Sequence, residues 1–221
     1  MKKLKFNNHE FEIHHEGILF WFKKNIAIVS DLHLEKGSSY AKTGQLIPPF
    51  DSEETLNKLI YSLKTNKINK IILLGDTFHD EEAFERMDFK SHGLFRYILD
   101  NYNVIFILGN HENKMKLKKI TFYHNYVIDN IHFIHEAMPS NKYQVSGHFH
   151  PVASVKVGSK KITGKCLVHS NNHLILPSFG TFTGGLNINS NIIKPYLNND
   201  YDIFMLSKNS VYKFTNLNLV L

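Results

Sequence analysis

The chain of 221 residues carries a formal net charge of +6, and 43% of its residues are hydrophobic. Its length suits one domain spanning residues 1–221, and its apolar content argues against intrinsic disorder. A single cysteine, Cys166, excludes an intrachain disulfide and favours a reducing, cytoplasmic setting. No apolar run approaches the roughly 20 residues that span a bilayer, and the polar start does not resemble a signal peptide, so we expect neither membrane insertion nor export.

The first half of the sequence predicts strands that alternate with helices. After a strand-like segment from residue 6, the short apolar runs typical of buried strands are residues 26–29, 71–74 and 104–108. Helical periodicity follows Pro49 and recurs around residues 89–99. Asp51 and Glu54 resemble a capping box at the start of the first of these helices. This order predicts a sheet with parallel neighbours that are joined by crossover helices.

The second half of the sequence predicts mostly antiparallel strands. Asp129-Asn130 is typical of a tight turn between two strands, and Gly158-Ser159 is typical of another. The predicted strands are residues 126–128, 131–134, 152–157, 165–169, 174–176 and 203–206. We therefore expect a second sheet that packs on the first.

Five short motifs rich in potential metal ligands occur along the chain. They are Asp31-Leu32-His33, Gly75-Asp76, Gly109-Asn110-His111-Glu112, His135 and Gly147-His148-Phe149-His150. The motifs stand where predicted strands end, and ligands bind at the carboxyl ends of strands in open α/β sheets. Residues two apart in an extended segment point to one face, so the two ligands of an Asp-x-His or His-x-His motif can act together. We expect each glycine to turn the backbone sharply before its ligand.

These side chains predict a site for two divalent cations. The Asp76 carboxylate has two oxygens and can bridge two metals, and the Asn110 carboxamide offers a neutral oxygen. Mixed nitrogen and oxygen ligands suit manganese, iron, zinc or nickel better than magnesium or calcium. Two cations about 3.5–4 Å apart can hold a bridging hydroxide and clamp a phosphate. One such motif alone is common in proteins, whereas the ordered set of five is specific to a metal site.

The ordered motifs from Asp31 to His150 resemble those of the calcineurin-like metallophosphoesterases. The resemblance implies an α/β fold, a four-layer α-β-β-α sandwich of two mixed β-sheets. It implies one metal held by Asp31, His33, Asp76 and His150. It implies a second metal held by Asp76, Asn110, His135 and His148. In that family's mechanism a metal-bridging hydroxide attacks phosphorus, and His111 would protonate the leaving oxygen.

A narrower resemblance is to the DNA-ligase-associated endonuclease group called PdeM. It rests on residues 31–36, Thr43-Gly44, Pro48-Pro49, His79, His135-Glu136, 147–151 and 176–185. It implies a manganese-dependent DNA phosphodiesterase or endonuclease linked to DNA repair, acting with a DNA ligase and a helicase. The chain departs from the group at Glu112, where aspartate is common, at Ala137, where proline is usual, and in having few arginines.

Two histidine assignments remain open at this point. His79 lies three residues after Asp76, so it could contact the scissile phosphate as a second catalytic residue, or it could simply pack the loop. His124 and His132 could rival His135 as a metal ligand. His132 and His135 are an odd number of residues apart, so both cannot face the metals from one strand. We favour His135 because it ends the predicted strand.

The positive net charge raises the prospect of a polyanionic partner such as DNA. Two lysine clusters could bind DNA phosphates, or they could be solvated surface in a chain rich in lysine. The clusters are Lys114, Lys116, Lys118 and Lys119, and Lys156, Lys160, Lys161 and Lys165.

Two other functions are weighed against a DNA endonuclease. A small-molecule or nucleotide phosphodiesterase or pyrophosphatase could use the same site, and the lack of a recognisable DNA-capping domain in the sequence favours it. A scaffold protein that had lost catalysis should also have lost ligands, whereas every ligand position is filled here.

Overall fold

The chain forms two β-sheets in the computed structural model, which describes residues 1–42, 44–45, 48, 50–113, 115, 117, 120–197 and 200–215. Thr43, Pro49, Lys114, Lys116, Lys118 and Lys119 lie outside the described residues. The strands of the first sheet are adjacent in chain order: β1 (Lys2–Phe6), β2 (His9–Ile13), β3 (Leu19–Trp21), β4 (Ile26–Val29), β5 (Lys70–Leu74), β6 (Asn103–Ile107) and β7 (Phe122–Tyr123). Strands β1 to β4 are antiparallel, and β4 to β7 are parallel.

The helices lie in the connections between the parallel strands of this sheet. They are α1 (Lys36–Ala41) and α2 (Asp51–Thr65) between β4 and β5, and α3 (Ala83–Arg86) and α4 (Phe89–Asn101) between β5 and β6. The apolar stripe of α2, which includes Leu59, packs with Phe95 of α4 and Leu73 of β5 in one buried cluster. The predicted crossover arrangement is therefore confirmed.

The predicted capping box at the start of α2 is wrong. Asp51 is the first residue inside the helix, and the preceding Phe50 makes no capping bond through its side chain. The Asp51 carboxylate instead accepts the backbone N–H of Gly37 at 3.1 Å. A sequence pattern registers only the local spacing of Asp51 and Glu54, whereas this partner lies in α1, the helix before α2.

The second sheet is mixed. Its strands are β8 (Tyr126–Ile128), β9 (Ile131–Phe133), β10 (Tyr143–Ser146), β11 (Pro151–Val157), β12 (Lys160–His169), β13 (His173–Ile175), β14 (Leu186–Asn187), β15 (Asp202–Leu206) and β16 (Val211–Thr215). The order is β14-β11-β12-β13-β10-β9-β8, and β15 pairs with β12 and β16. The pairs β9–β10, β10–β13 and β11–β14 are parallel, and the others are antiparallel, as predicted for most of this half.

The layers follow from three buried clusters. One cluster lies between the sheets and joins residues such as Ile28 and Ile72 to Phe133 and Leu174. A second lies under α2 and α4, and a third covers the outer face of the second sheet. The predicted four-layer sandwich is confirmed, but the fourth layer contains no α-helix among the described residues and includes a 3-10 turn at Lys194–Tyr196. None of the described helices has the length and apolar content needed to cross a membrane.

The two sheets bring several strand ends to one place. Strands β4, β5 and β6 are parallel neighbours, so the loops that follow them leave the same edge of the first sheet. Strands β9 and β10 are parallel neighbours in the second sheet. An isolated parallel bridge joins Ser30, directly after β4, to Ser178 beyond β13. The predicted metal motifs all lie in these loops.

Candidate metal centre

All nine predicted site residues meet where these loops converge. Asp31 and His33 follow β4, Asp76 follows β5, Asn110 and His111 follow β6, His135 follows β9, and His148 and His150 follow β10, while His79 lies in the loop after Asp76. Three groups among them have potential ligand atoms that all lie within 4.8 Å of one another: Asp31–His33–His150, Asp76–His135–His148 and His33–His79–His111.

The first group is centred on a buried carboxylate. Asp31 has no exposed surface, and its Oδ1 is 3.2 Å from His150 Nε2. The Nε2 atoms of His33 and His150 face each other at 3.3 Å. The Asp31 carboxylate also accepts the backbone N–H of His148 at 3.0 Å and the hydroxyl of Ser30. One oxygen and two nitrogens therefore converge on one point.

The second group is centred on Asp76. Its Oδ2 is 3.3 Å from His135 Nε2, and His135 Nε2 is 3.1 Å from His148 Nδ1. The Asn110 carboxamide approaches the same His148 nitrogen at 3.3 Å. Asp76 Oδ2 is also 4.0 Å from His33 Nε2 in the first group. Asp76 therefore lies between the two groups, in the position that a bridging carboxylate needs.

His111 and His79 border both groups. His111 Nε2 is 3.7 Å from Asp76 Oδ2, and its side chain is 40% exposed. Its Nδ1 bonds to the backbone carbonyl of His79, and the two imidazole rings stack with centroids 5.4 Å apart. The backbone N–H of His111 donates to Asp76 Oδ1 at 3.1 Å. The structure thus brings both predicted catalytic histidines to the edge of the clusters.

The orientation of the imidazoles fits two bound divalent cations. His135 Nδ1 donates to the Leu74 carbonyl at 2.8 Å, and His150 Nδ1 donates to the Gly184 carbonyl at 3.2 Å. Each bond fixes the tautomer and leaves the Nε2 lone pair directed at its cluster. Two imidazole nitrogens about 3 Å apart repel each other unless a proton or a cation lies between them. The mixed nitrogen and oxygen donors match transition-metal preferences.

The electrostatics of the clusters support the same conclusion. Burial acts to raise the pKa of Asp31 and Asp76, but bonds to His150 and His135 respectively keep both pKa values below the ordinary range. Burial lowers the pKa of His33 to about 3, so this ring is neutral and can donate a lone pair. Burial also opposes the charge on His135, but Asp76 and Asp31 raise its pKa to about 9, so a cation would bind Nε2 by displacing the proton that this nitrogen otherwise holds. Two ionised, buried carboxylates create a negative potential that cations would neutralise.

The backbone of the ligand loops differs from the extended form that the sequence predicts. Asp31, His33, Asp76, His148 and His150 all have positive φ angles, between 45° and 66°. Non-glycine residues held in this left-handed region cost of order 1–3 kcal/mol each and cluster at functional sites. The intervening Leu32 and Phe149 are buried in separate apolar clusters. The side chains of residues two apart do enter the site together, as predicted. The reason is the left-handed backbone of the residues that carry them and not an extended segment.

The glycines of the motifs mainly allow two loops to approach each other closely, and sharp turns are the lesser part of their role. Gly75 has a φ of 77°, as a turn requires, whereas Gly109 has a φ of −95°. A methyl group at Gly109 would collide with the backbone nitrogen of Asp76. A methyl group at Gly147 would collide with Ser30 Oγ and crowd Asp31 Oδ2. The prediction of a turn is therefore supported at Gly75, and the other two glycines bring loops into contact.

We expect Gly147→Ala to destabilise the protein by at least about 3 kcal/mol and to abolish hydrolysis, because the added methyl would displace the Ser30–Asp31 segment. The measurements are urea unfolding and phosphodiester hydrolysis. Gly93→Ala is the matched control, because a methyl placed at this position in α4 would have no atom within 4 Å apart from its chain neighbours and the backbone of its own helix. It should stabilise the protein by about 1 kcal/mol. Equal urea midpoints for the two variants would contradict the close-approach argument.

Sequence reasoning missed the side chain that joins two of the ligand loops. Glu112 is fully buried and accepts the N–H of Phe78 at 3.0 Å and the N–H of Gly109 at 3.1 Å. Burial raises its pKa to about 7, although these donors oppose the shift. Its place at the end of the Gly109–Glu112 motif could have pointed to a role in the site. In the sequence, however, Glu112 stood out only because aspartate is common at this position in the PdeM group.

The loop of residues 178–184 was also missed as a part of the centre. Phe179 N donates to the Ser30 carbonyl at 2.8 Å, and Gly180 N donates to the Asp31 carbonyl at 3.1 Å. The Gly184 carbonyl then orients His150. No residue type in this loop suggested these backbone contacts.

The rival histidine His132 lies outside the three groups. Its Nδ1 pairs with the Asn125 side chain, with an Nδ1–Nδ2 distance of 3.0 Å. His124 is exposed and belongs to none of the groups. His135 is the histidine of this region that enters the site, as predicted from its place after the strand.

Comparisons with known proteins agree with this geometry. The family model for calcineurin-like phosphoesterases matches residues 24–207. The chain is similar in fold to the crystal structure of the Pseudomonas putida nuclease MPE, with a TM-score of 0.74, 21% sequence identity, and coverage of 96% of this chain and 99% of that one. A weaker match is the E. coli phosphoesterase Yfce, with a TM-score of 0.43, 13% identity, and coverage of 86% of this chain and 97% of that one. No curated protein matches the sequence significantly. The match over most of its length shows that the chain belongs to the calcineurin-like phosphoesterase family.

Proposed function

We propose that this protein is a binuclear, manganese-dependent phosphodiesterase that cleaves DNA as an endonuclease linked to DNA repair, in functional association with a DNA ligase and a helicase. The observation that carries the proposal is the pair of donor groups with Asp76 between them and His111 at their edge. The fold likeness to a protein described as a nuclease supports a nucleic acid as the substrate. A cytoplasmic location, favoured by the lone cysteine, is part of the same proposal.

Each cluster has a role in this proposal. Asp31, His33, Asp76 and His150 would hold one cation, and Asp76, Asn110, His135 and His148 would hold the other. Bound cations would supply Lewis-acid charge for the phosphate and an activated water as nucleophile. The residues themselves keep their ligand atoms in place through hydrogen bonds to backbone groups, such as the Leu74 carbonyl, which accepts from His135 Nδ1 and fixes the tautomer of that ring.

His111 is the proposed proton donor. Its Nδ1 is bonded to the His79 carbonyl, so Nε2 is the nitrogen free to face a substrate. A protonated His111 would pass the Nε2 proton to the leaving oxygen and keep its Nδ1–H. The partial exposure of the ring lets a large leaving group reach it. His79 stacks on His111 and would contact the scissile phosphate from the same side.

Metal removal tests this function. We expect hydrolysis of a bis-aryl phosphodiester to disappear after chelation and to return best with Mn²⁺, with Fe²⁺, Zn²⁺ and Ni²⁺ less effective. Single-stranded and hairpin DNA should be nicked under the same conditions. Full activity in a verified metal-free sample would contradict the metal-dependent mechanism. Hydrolysis of the small ester without any DNA cleavage would point instead to a small-molecule or nucleotide phosphodiesterase.

A further inference from the structure

The hairpin of β11 and β12 starts at the metal centre. Strand β11 begins at Pro151, directly after the proposed ligand His150. The hairpin pairs Val152 with Lys165 at its base and Lys156 with Lys161 near its tip. Between Pro151 and His169 the sequence has four lysines and no acidic residue.

The outer half of the hairpin stands in solvent. Every residue from 156 to 163 is exposed, including Lys156, Lys160 and Lys161. Lys165 differs, because its ammonium donates to the carbonyls of Ser178 and Gly180 at 2.9 and 3.1 Å. Lys165 therefore anchors the loop of residues 178–184 beside the metal centre, and the other three lysines are available to a partner.

The arrangement at the tip is unfavourable for the isolated protein. Lys156 and Lys161 are direct cross-strand partners, and like charges placed opposite each other destabilise a sheet. Within the described part of the chain, neither lysine has a carboxylate within ion-pair distance. A polyanion that lay against both side chains would remove this repulsion.

The spacing along the hairpin relates the lysines to the centre. Alternate cross-strand pairs share a face, so Lys156 and Lys161 lie on the face that also carries Lys165. Lys161 lies four positions before Lys165 along β12, which corresponds to about 13 Å at 3.3 Å per residue. Nucleotides advance about 3.4 Å each along a DNA strand, so this distance spans about four nucleotides.

We propose that this hairpin is a DNA-binding arm. Lys156 and Lys161 contact backbone phosphates about four or more nucleotides from the bond that is cleaved, and they do so without reading the sequence, whereas Lys160 pairs with Val157 and lies on the opposite face. The inference rests on the proposed function, since it assumes that DNA enters the metal centre. DNA is favoured over other polyanions because the arm begins at a centre that suits phosphodiester chemistry.

The test is a double variant, Lys156→Gln/Lys161→Gln, assayed with all metals present. The KM for DNA of about 20 base pairs should rise about tenfold, and the slope of log affinity against log salt should fall by about 1.8 if each lysine neutralises one phosphate. Turnover of a bis-aryl phosphodiester, and cleavage of DNA shorter than about four nucleotides, should not change, because neither substrate reaches the arm.

Two further variants serve as controls. Lys2→Gln/Lys5→Gln removes the same charge from exposed positions outside the hairpin and should leave the KM for DNA near the wild-type value. Replacing Lys156 and Lys161 with arginine should preserve DNA binding, because the charge is kept. If the wild type cleaves DNA but the hairpin variant keeps the wild-type KM and salt slope, this result would overturn the inference and leave the proposed function intact. A wild type that hydrolyses the small ester but neither binds nor cleaves DNA would overturn the proposed function and the inference together.

Discussion

Asp76→Asn should remove both cations and lower kcat/KM for a bis-aryl phosphodiester by roughly a thousandfold, which corresponds to about 4 kcal/mol. Asp76 Oδ2 is 3.3 Å from His135 Nε2 and 4.0 Å from His33 Nε2, so one carboxylate serves both clusters. Asparagine preserves the shape of the side chain but removes the negative charge that attracts the cations. The measurements are metal content per chain by mass spectrometry and steady-state hydrolysis.

Asp202→Asn is the matched control for this substitution. Asp202 is a half-buried carboxylate on β15, and it pairs with Lys213 Nζ at 2.8 Å. Its loss should cost less than about 1 kcal/mol of stability and leave both cations and hydrolysis unchanged. If the Asp76 variant kept two metals per chain at the wild-type affinity, Asp76 would not be the bridging ligand.

His111→Ala should keep both cations while slowing the cleavage of substrates with poor leaving groups by roughly a hundredfold to ten-thousandfold. An alkoxide leaving group, such as the sugar oxygen of DNA, needs a proton, whereas nitrophenolate departs readily without one. The defect should therefore be large for DNA and small for a nitrophenyl ester. Metal content and the dependence of rate on the pKa of the leaving group measure the two effects separately.

His132→Ala is the control for the loss of a histidine, because His132 pairs with Asn125 outside the clusters. It should leave metal content and the leaving-group dependence as in the wild type. An empty metal position in the His111 variant would make His111 a ligand. An equal rate loss for every leaving group would assign it to phosphate binding.

The sequence by itself determined the order of the ligand motifs and most of the strands that precede them. Short apolar runs such as residues 26–29 and 71–74 form strands because both faces of the first sheet are covered, by the second sheet on one side and by helices on the other. Four of the motifs follow such a run, so their positions at strand ends could be predicted from local spacing, whereas β10, which precedes Gly147, is not an apolar run and was not predicted. Parallel neighbours then place those ends at a common edge.

Only the tertiary structure decided how the ligands are held. The Leu74 carbonyl that orients His135 is 61 residues away in sequence, and the Gly184 carbonyl that orients His150 is 34 residues away. Glu112 joins the loops after β5 and β6, and Gly147 brings its loop against Ser30. These contacts depend on how the two sheets pack and on left-handed backbone angles at non-glycine ligands. Periodicity in a sequence reports which face of a strand is buried, and it carries no information about which distant backbone group meets a given side chain.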